Sequence, residues 1–157
     1  EWLAFAVVAD DGTTKAPPKR ITAETGHVGR FDLLLAADDS IDVYANDEAD
    51  TGARDDLGGR ILRVTLRGDR AETAVAVVLS GVGSGAPAVQ RAASSSWLFY
   101  EDPLGRARAQ PLGVPGLPSF EPSLDDARLE VATGGDAWLG VSSSALVRIR
   151  CGEPADH

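Results

Sequence analysis

From Arg60 to Arg67 the chain reads RILRVTLR. Leu62, Val64 and Leu66 therefore fall on one side of an extended backbone, and Arg63, Thr65 and Arg67 on the other. A period of two cannot make the apolar stripe of a helix. It dictates a strand with one face for a core and one for water. Gly68-Asp69 supplies a turn and Ala71 to Ser80 a returning strand, so residues 60–80 are expected to form a hairpin. The alternation recurs at Ile41 to Ala45, at Leu129 and Val131 against Arg128 and Glu130, and at Ala145, Val147 and Ile149. Two late aromatic stretches, Ser94 to Tyr100 (SSSWLFY) and Ala137 to Arg150 (AWLGVSSSALVRIR), add further strand-forming residues. No segment carries a sustained helical stripe; the best candidate, Pro87 to Ala93, makes about two turns at most. The pattern predicts an all-β chain of about eight short strands. They are expected to form a single antiparallel β-barrel over residues 1–157, with a β-sandwich as the alternative.

The punctuation between strands refines this. Trp2 to Ala9 (WLAFAVVA) is a continuous apolar run closed by Asp10-Asp11-Gly12, and reads as a buried first strand. Pro17-Pro18 keeps the chain extended. A second strand region is expected from about Arg20 to Ala36, where Gly26 and Gly29 mark a bulge or bend. Two stretches break the rhythm. Asp38 to Asp56 is acidic and turn-rich. Pro103 to Pro122 holds five prolines, which excludes a central strand. This long Pro/Gly-rich loop is a candidate lid, with a passive surface loop as the plainer reading.

Composition removes several function classes. The 157 residues suffice for one domain with its own core. A net charge of −9 argues against nucleic acid as a partner and disfavours anionic membrane. No apolar stretch has membrane-spanning length, and Trp2 to Ala9 lacks the basic flank of a signal peptide. Cys151 is the single cysteine, so no intrachain disulfide can form, and a reduced, cytoplasmic setting is expected. Lys15 and Lys19 are the only lysines. The arginine excess looks like codon usage and carries no functional weight.

The candidate motifs are weak. Gly81-Val82-Gly83-Ser84-Gly85 has its third glycine one residue early for a dinucleotide loop and reads as a flexible turn. Aligning Gly52 with the EF-hand glycine leaves Ala49 and Thr51 where ligand oxygens belong, so the acidic stretch fails as that motif. One cysteine and two distant histidines do not make a zinc site, and no metal or cofactor is expected. Ser94 to Ser96 and Ser142 to Ser144 stand outside any nucleophile-elbow pattern. Cys151 and His157 lie in a tail, and a tail thiol is their simpler description. His27, between Gly26 and Val28, has a titration range suited to acid–base work, although a turn or rim residue is the plainer role. Tyr44, Tyr100 and Glu101 are further groups able to donate or accept inside a pocket.

Three segments in order carry a resemblance. His27-Val28-Gly29-Arg30-Phe31-Asp32 follows an extended first strand. Trp97-Leu98-Phe99-Tyr100 comes late, and Trp138-Leu139-Gly140-Val141 leads into a last strand ending Arg148-Ile149-Arg150. Together they resemble the small β-barrel cyclases of polyketide biosynthesis, the spirotetronate Diels–Alderase type, which are similar in fold to allene oxide cyclase. The match covers about a third of the chain. The stretch from Glu101 to about Asp126 departs from the family, and Val147 stands about where such cyclases can carry a stacking tryptophan.

The resemblance implies a cofactor-independent cyclase that folds a bulky apolar polyketide-like substrate inside a barrel. An intramolecular reaction such as [4+2] cycloaddition would gain its rate from removed conformational freedom. On this reading Trp97, Phe99 and Trp138 form the substrate wall, with Trp97 and Phe99 facing inward. Tyr44, Tyr100 or His27 gives the catalytic polar contact, and the 103–122 loop caps the mouth. The rival class is a non-catalytic β-sandwich module binding carbohydrate or protein. A third is an assembly domain pairing through an edge strand, and a homodimer is compatible with either.

Overall fold

The computed structural model describes residues 1–48, 58–68, 70–71, 75–92, 95–113, 127–128, 137–142 and 146–150. The strands run in the order β1 (Ala4–Phe5), β2 (Lys19–Arg20), β3 (Val28–Leu35), β4 (Ile41–Asp47), β5 (Gly59–Arg67), β6 (Arg70–Ala71) and β7 (Ala76–Val82). There follow β8 (Ala88–Ala92), β9 (Ser95–Glu101), β10 (Ala107–Leu112), β11 (Ala127–Arg128), β12 (Ala137–Ser142) and β13 (Leu146–Arg150). All described pairings are antiparallel. Among the described residues there is no helix, and so none long and apolar enough to cross a membrane.

The central sheet is β3-β4-β5 with β7 and the short β6 both on β5. The hairpin at 60–80 forms as its alternation dictates, with Leu62 opposite Val77. Leu62 and Val64 are buried, while Arg63 and Arg67 are exposed. Gly29 marks a register shift between Val28 and Arg30, the irregularity its glycine announces. A second sheet has the order β10-β9-β8, and a third β11-β12-β13. The first two are neighbours along β3 and β8, but no backbone ladder joins them there. Two side chains close this seam instead. The Val89 N–H donates to Asp32 Oδ2 at 2.7 Å, and Arg91 Nη2 donates to the Leu35 carbonyl at 3.1 Å.

Three expectations change. The apolar run Trp2 to Ala9 is not a buried strand. Only Ala4–Phe5 pairs, with Lys19–Arg20, and Trp2 and Val8 are half exposed. A two-stranded ribbon covers one face only, so alternate residues of the run stay in water. The expected strand from 20 to 36 begins at Val28, after a turn in which the Gly26 N–H bonds the Ala23 carbonyl at 3.1 Å. The helix candidate at 87–93 is strand β8, because pairing with β9 outweighs a weak local propensity.

The 103–122 loop also resolves differently over its first half. Ala107–Leu112 is strand β10, paired along its length with β9. Pro111 is tolerated because β10 has β9 as its one described neighbour, so the missing N–H faces no ladder. The connection is a tight turn. Asp102 Oδ1 accepts from the Leu104 and Arg106 N–H groups, Arg108 grips Oδ2, and Gly105 sits at φ 76°. Burial pushes the Asp102 carboxyl up, but these donors outweigh it and hold it below its ordinary range. Residues 114–122, the rest of the candidate lid, lie outside the described residues.

The turn Gly83-Ser84-Gly85 is built into the packing. Asn46, buried on β4, donates through Nδ2 to the Gly83 carbonyl at 2.8 Å and the Gly85 carbonyl at 2.9 Å. A Cβ at Gly83 would come within 2.5 Å of the Asp102 carbonyl, and one at Gly85 within 2.6 Å of the Glu101 carboxylate. At Gly83 the neighbour is backbone, so glycine is required there for close approach, whereas at Gly85 the Glu101 side chain can swing aside. The second amide atom, Asn46 Oδ1, is buried without a hydrogen-bond donor. It faces Gly59, where a Cβ would lie 2.6 Å away, so the glycine's own hydrogen takes that position.

Candidate functional site

The interior between the first two sheets is a cluster of Tyr44, Ile61, Val82, Val89 and Leu98, with Leu34, Val78, Tyr100 and Leu112 packed against it. Register explains its membership. Tyr44 and Ile61 share one face because Tyr44 pairs with Arg63, two residues beyond Ile61. Leu98 and Tyr100 share a face of β9 by alternation, and that face meets Tyr44.

Tyr44 brings the polar chemistry. It is almost fully buried, and its hydroxyl accepts a hydrogen bond from the Arg63 side chain directly across the ladder. Asp42 lies two residues along β4 on the same face and accepts from Thr65 Oγ1 at 2.6 Å. Burial, followed by the Asp42 charge, pushes the Tyr44 phenol above its ordinary value; Arg63 opposes them without cancelling them. Tyr44 is thus a phenol kept protonated at neutral pH, in a largely apolar wall, with an arginine braced against it. Such a group donates a hydrogen bond to a carbonyl without needing to lose its proton.

The sequence candidates divide. Tyr44 and Tyr100 are brought together. His27 is not: it lies beside Asp47, three residues along β4 from Tyr44 and on the other side of the strand. Its ring is exposed, while its backbone N–H donates to Asp47 Oδ1 at 2.8 Å. Asp47 is itself buried and holds Arg60 of β5 through Nε and Nη2 at 3.0 and 2.8 Å, so this corner fastens the entry to β3 and strand β5 onto β4. Leu98 and Tyr100 face Tyr44. Trp97 and Phe99, expected to face inward, share the side of β9 away from Tyr44. There Phe99 is buried alongside Ala107 and Ala109 of β10. Trp138 pairs with Ile149 in the β12–β13 ladder, and its side chain lies outside what the structure describes. Glu101 accepts the Gly83 N–H through its carbonyl at 2.7 Å, a structural role. Cys151 and Ser94 lie outside the described residues.

Sequence reasoning missed Asp42 and Arg63. Both were visible only as the polar members of alternating strands. Their meeting with Tyr44 depends on the β4–β5 register, which no residue pattern announces. The chain matches no protein-family model, no curated protein and no solved structure.

Proposed function

We propose that the chain is a cofactor-independent cyclase that takes a bulky apolar, polyketide-like molecule into its β domain. It would promote an intramolecular closure such as a [4+2] cycloaddition. One observation carries the reading: Tyr44 and Tyr100, from two different sheets, converge in a single apolar cluster where the Tyr44 phenol is held protonated and braced by Arg63. The proximity of β3 to β8 supports closure of the two sheets into a barrel-like wall. On this reading Leu34, Val78 and Tyr100, which pack against the Tyr44–Leu98 cluster, would stand in the wall beside the substrate. Tyr44 would donate to the carbonyl that activates the acceptor double bond, and the wall would hold the chain ends in reacting range.

The test is a linear triene bearing an enone, followed by tryptophan quenching and by product formation. Wild type is expected to bind it and speed its cyclisation. Tyr44→Phe is expected to retain binding and lose roughly a hundred- to thousandfold in rate, the scale of one removed donor. Activity should persist through neutral pH and fall as pH rises through the raised Tyr44 value, because the donated proton is then gone. Neither quenching nor acceleration by wild type would end this reading and leave the non-catalytic module in its place.

A further inference from the structure

Strands β4 and β5 set four polar side chains in a square on the face that carries the Tyr44 cluster. Asp42 stands directly opposite Thr65, and Tyr44 directly opposite Arg63. Opposed side chains are near neighbours, and the diagonal from Asp42 to Arg63 is also within reach of a long side chain. Charge alone favours that diagonal. The structure shows the straight pairs instead. Thr65 Oγ1 donates to Asp42 Oδ1 at 2.6 Å and Arg63 donates to the Tyr44 hydroxyl. Among the described residues no ion pair joins Asp42 to Arg63. A short hydrogen bond to a carboxylate outweighs an ion pair to an exposed guanidinium, which solvent screens. Along the same row no rival carboxylate is open to Arg63. Ala76 of β7 flanks it on one side. Asp32 of β3, beyond Tyr44, already accepts the Leu33 and Val89 N–H groups at 2.8 and 2.7 Å. Tyr100 is the other titratable group packed on the cluster.

We propose that Thr65 is a positioning residue for the Tyr44 phenol: its hydroxyl occupies Asp42 and so keeps that carboxylate from both Arg63 and Tyr44. Without the hydroxyl, Asp42 turns to one of two nearby donors, the guanidinium or the phenol's own O–H. The first draws Arg63 away from Tyr44. The second ties up the proton that Tyr44 would present to a guest. With the straight pairs in place, the phenol oxygen is engaged as an acceptor and its O–H is left for another group. Donation by Arg63 also polarises the phenol, which strengthens the hydrogen bond it can give in turn. Burial first, and the Asp42 charge second, push the phenol above its ordinary value, so the carboxylate is close enough to matter. The part Thr65 plays in a reaction rests on the cyclase reading; the arrangement of the four side chains does not.

Raman spectra of the full chain at neutral pH test this without any substrate. The intensity ratio of the tyrosine doublet is high when the phenol oxygen accepts a hydrogen bond and low when its O–H donates to a carboxylate. The chain has two tyrosines, so Tyr100→Phe leaves Tyr44 as the only source of the signal. In that background Thr65→Val, which keeps the side-chain shape and removes the hydroxyl, should lower the ratio. Thr65→Ser should hold it. With Asp42→Asn present, Thr65→Val should no longer move it, because no carboxylate is left to release. On the linear triene, Thr65→Val alone should lose about tenfold in rate with binding unchanged, the factor of one hydrogen bond. Thr65→Ser should restore that rate. Thr65→Ala removes the same hydroxyl and takes its place if the valine variant fails to fold. A ratio unmoved by loss of the hydroxyl, or lowered equally with Asp42→Asn present, overturns the role given to Thr65. Wild type that does not speed the cyclisation defeats the cyclase reading alone, since the Raman ratio still decides whether Thr65 positions Tyr44.

Discussion

Asn46→Asp is expected to unfold much of the population at neutral pH and to recover stability in acid. The side-chain nitrogen donates to two carbonyls, Gly83 and Gly85, inside the packing. An aspartate replaces that nitrogen with an oxygen facing two oxygens, at a buried position where its charge is poorly solvated. The cost is about 3–5 kcal/mol, that of an uncompensated buried charge. Protonation restores one donor, so the folded-state pKa of the new carboxyl must rise above its unfolded value. The sign follows: stability is present below the unfolded pKa and disappears as pH climbs through the folded one. Urea midpoints at pH 3.5 and pH 7 check this. Asn46→Ala should lose less and show no such inversion. An Asn46→Asp variant as stable as wild type at pH 7 would falsify the role given to this amide.

Leu98→Ala is expected to cost about 3–5 kcal/mol, at the upper part of the range for a large core truncation. Leu98 is completely buried, on the middle strand of its sheet, and touches the cluster that both sheets share. Strands on either side restrain β9, so the cavity cannot collapse easily. A drop in melting temperature of about 10 °C is the corresponding readout for a domain of this size. A melting temperature that does not move would mean Leu98 is not the joint between the sheets.

Some of this was legible from the residues. The alternation at Leu62, Val64 and Leu66 announced β5, and the turn after it announced the hairpin, because both rest on nearest neighbours. Gly29 announced its irregularity for the same reason. What failed rests on partners distant in the chain. Trp97 and Leu98 are adjacent strand residues of opposite face, and alternation says they differ without saying which meets Tyr44. Pro87 to Ala93 has no strong preference of its own and takes its state from β9. Trp2 to Ala9 has the composition of a core strand but only a two-residue partner. The polar neighbours of Tyr44, and the amide of Asn46 set against the turn glycines, depend on register and on a contact across 37 residues. Tyr44 and Tyr100 were reachable as candidates because buried phenols need partners; their convergence was not.

The fastening of β3 to β8 by one carboxylate and one guanidinium has a mechanical consequence. Most joints between strands here must break a ladder to open, losing many bonds together. Opening this line breaks only two hydrogen bonds and leaves every described ladder standing. The same opening would bare the buried cluster around Leu98, so that apolar contact, and not the seam, sets the cost of parting the two sheets.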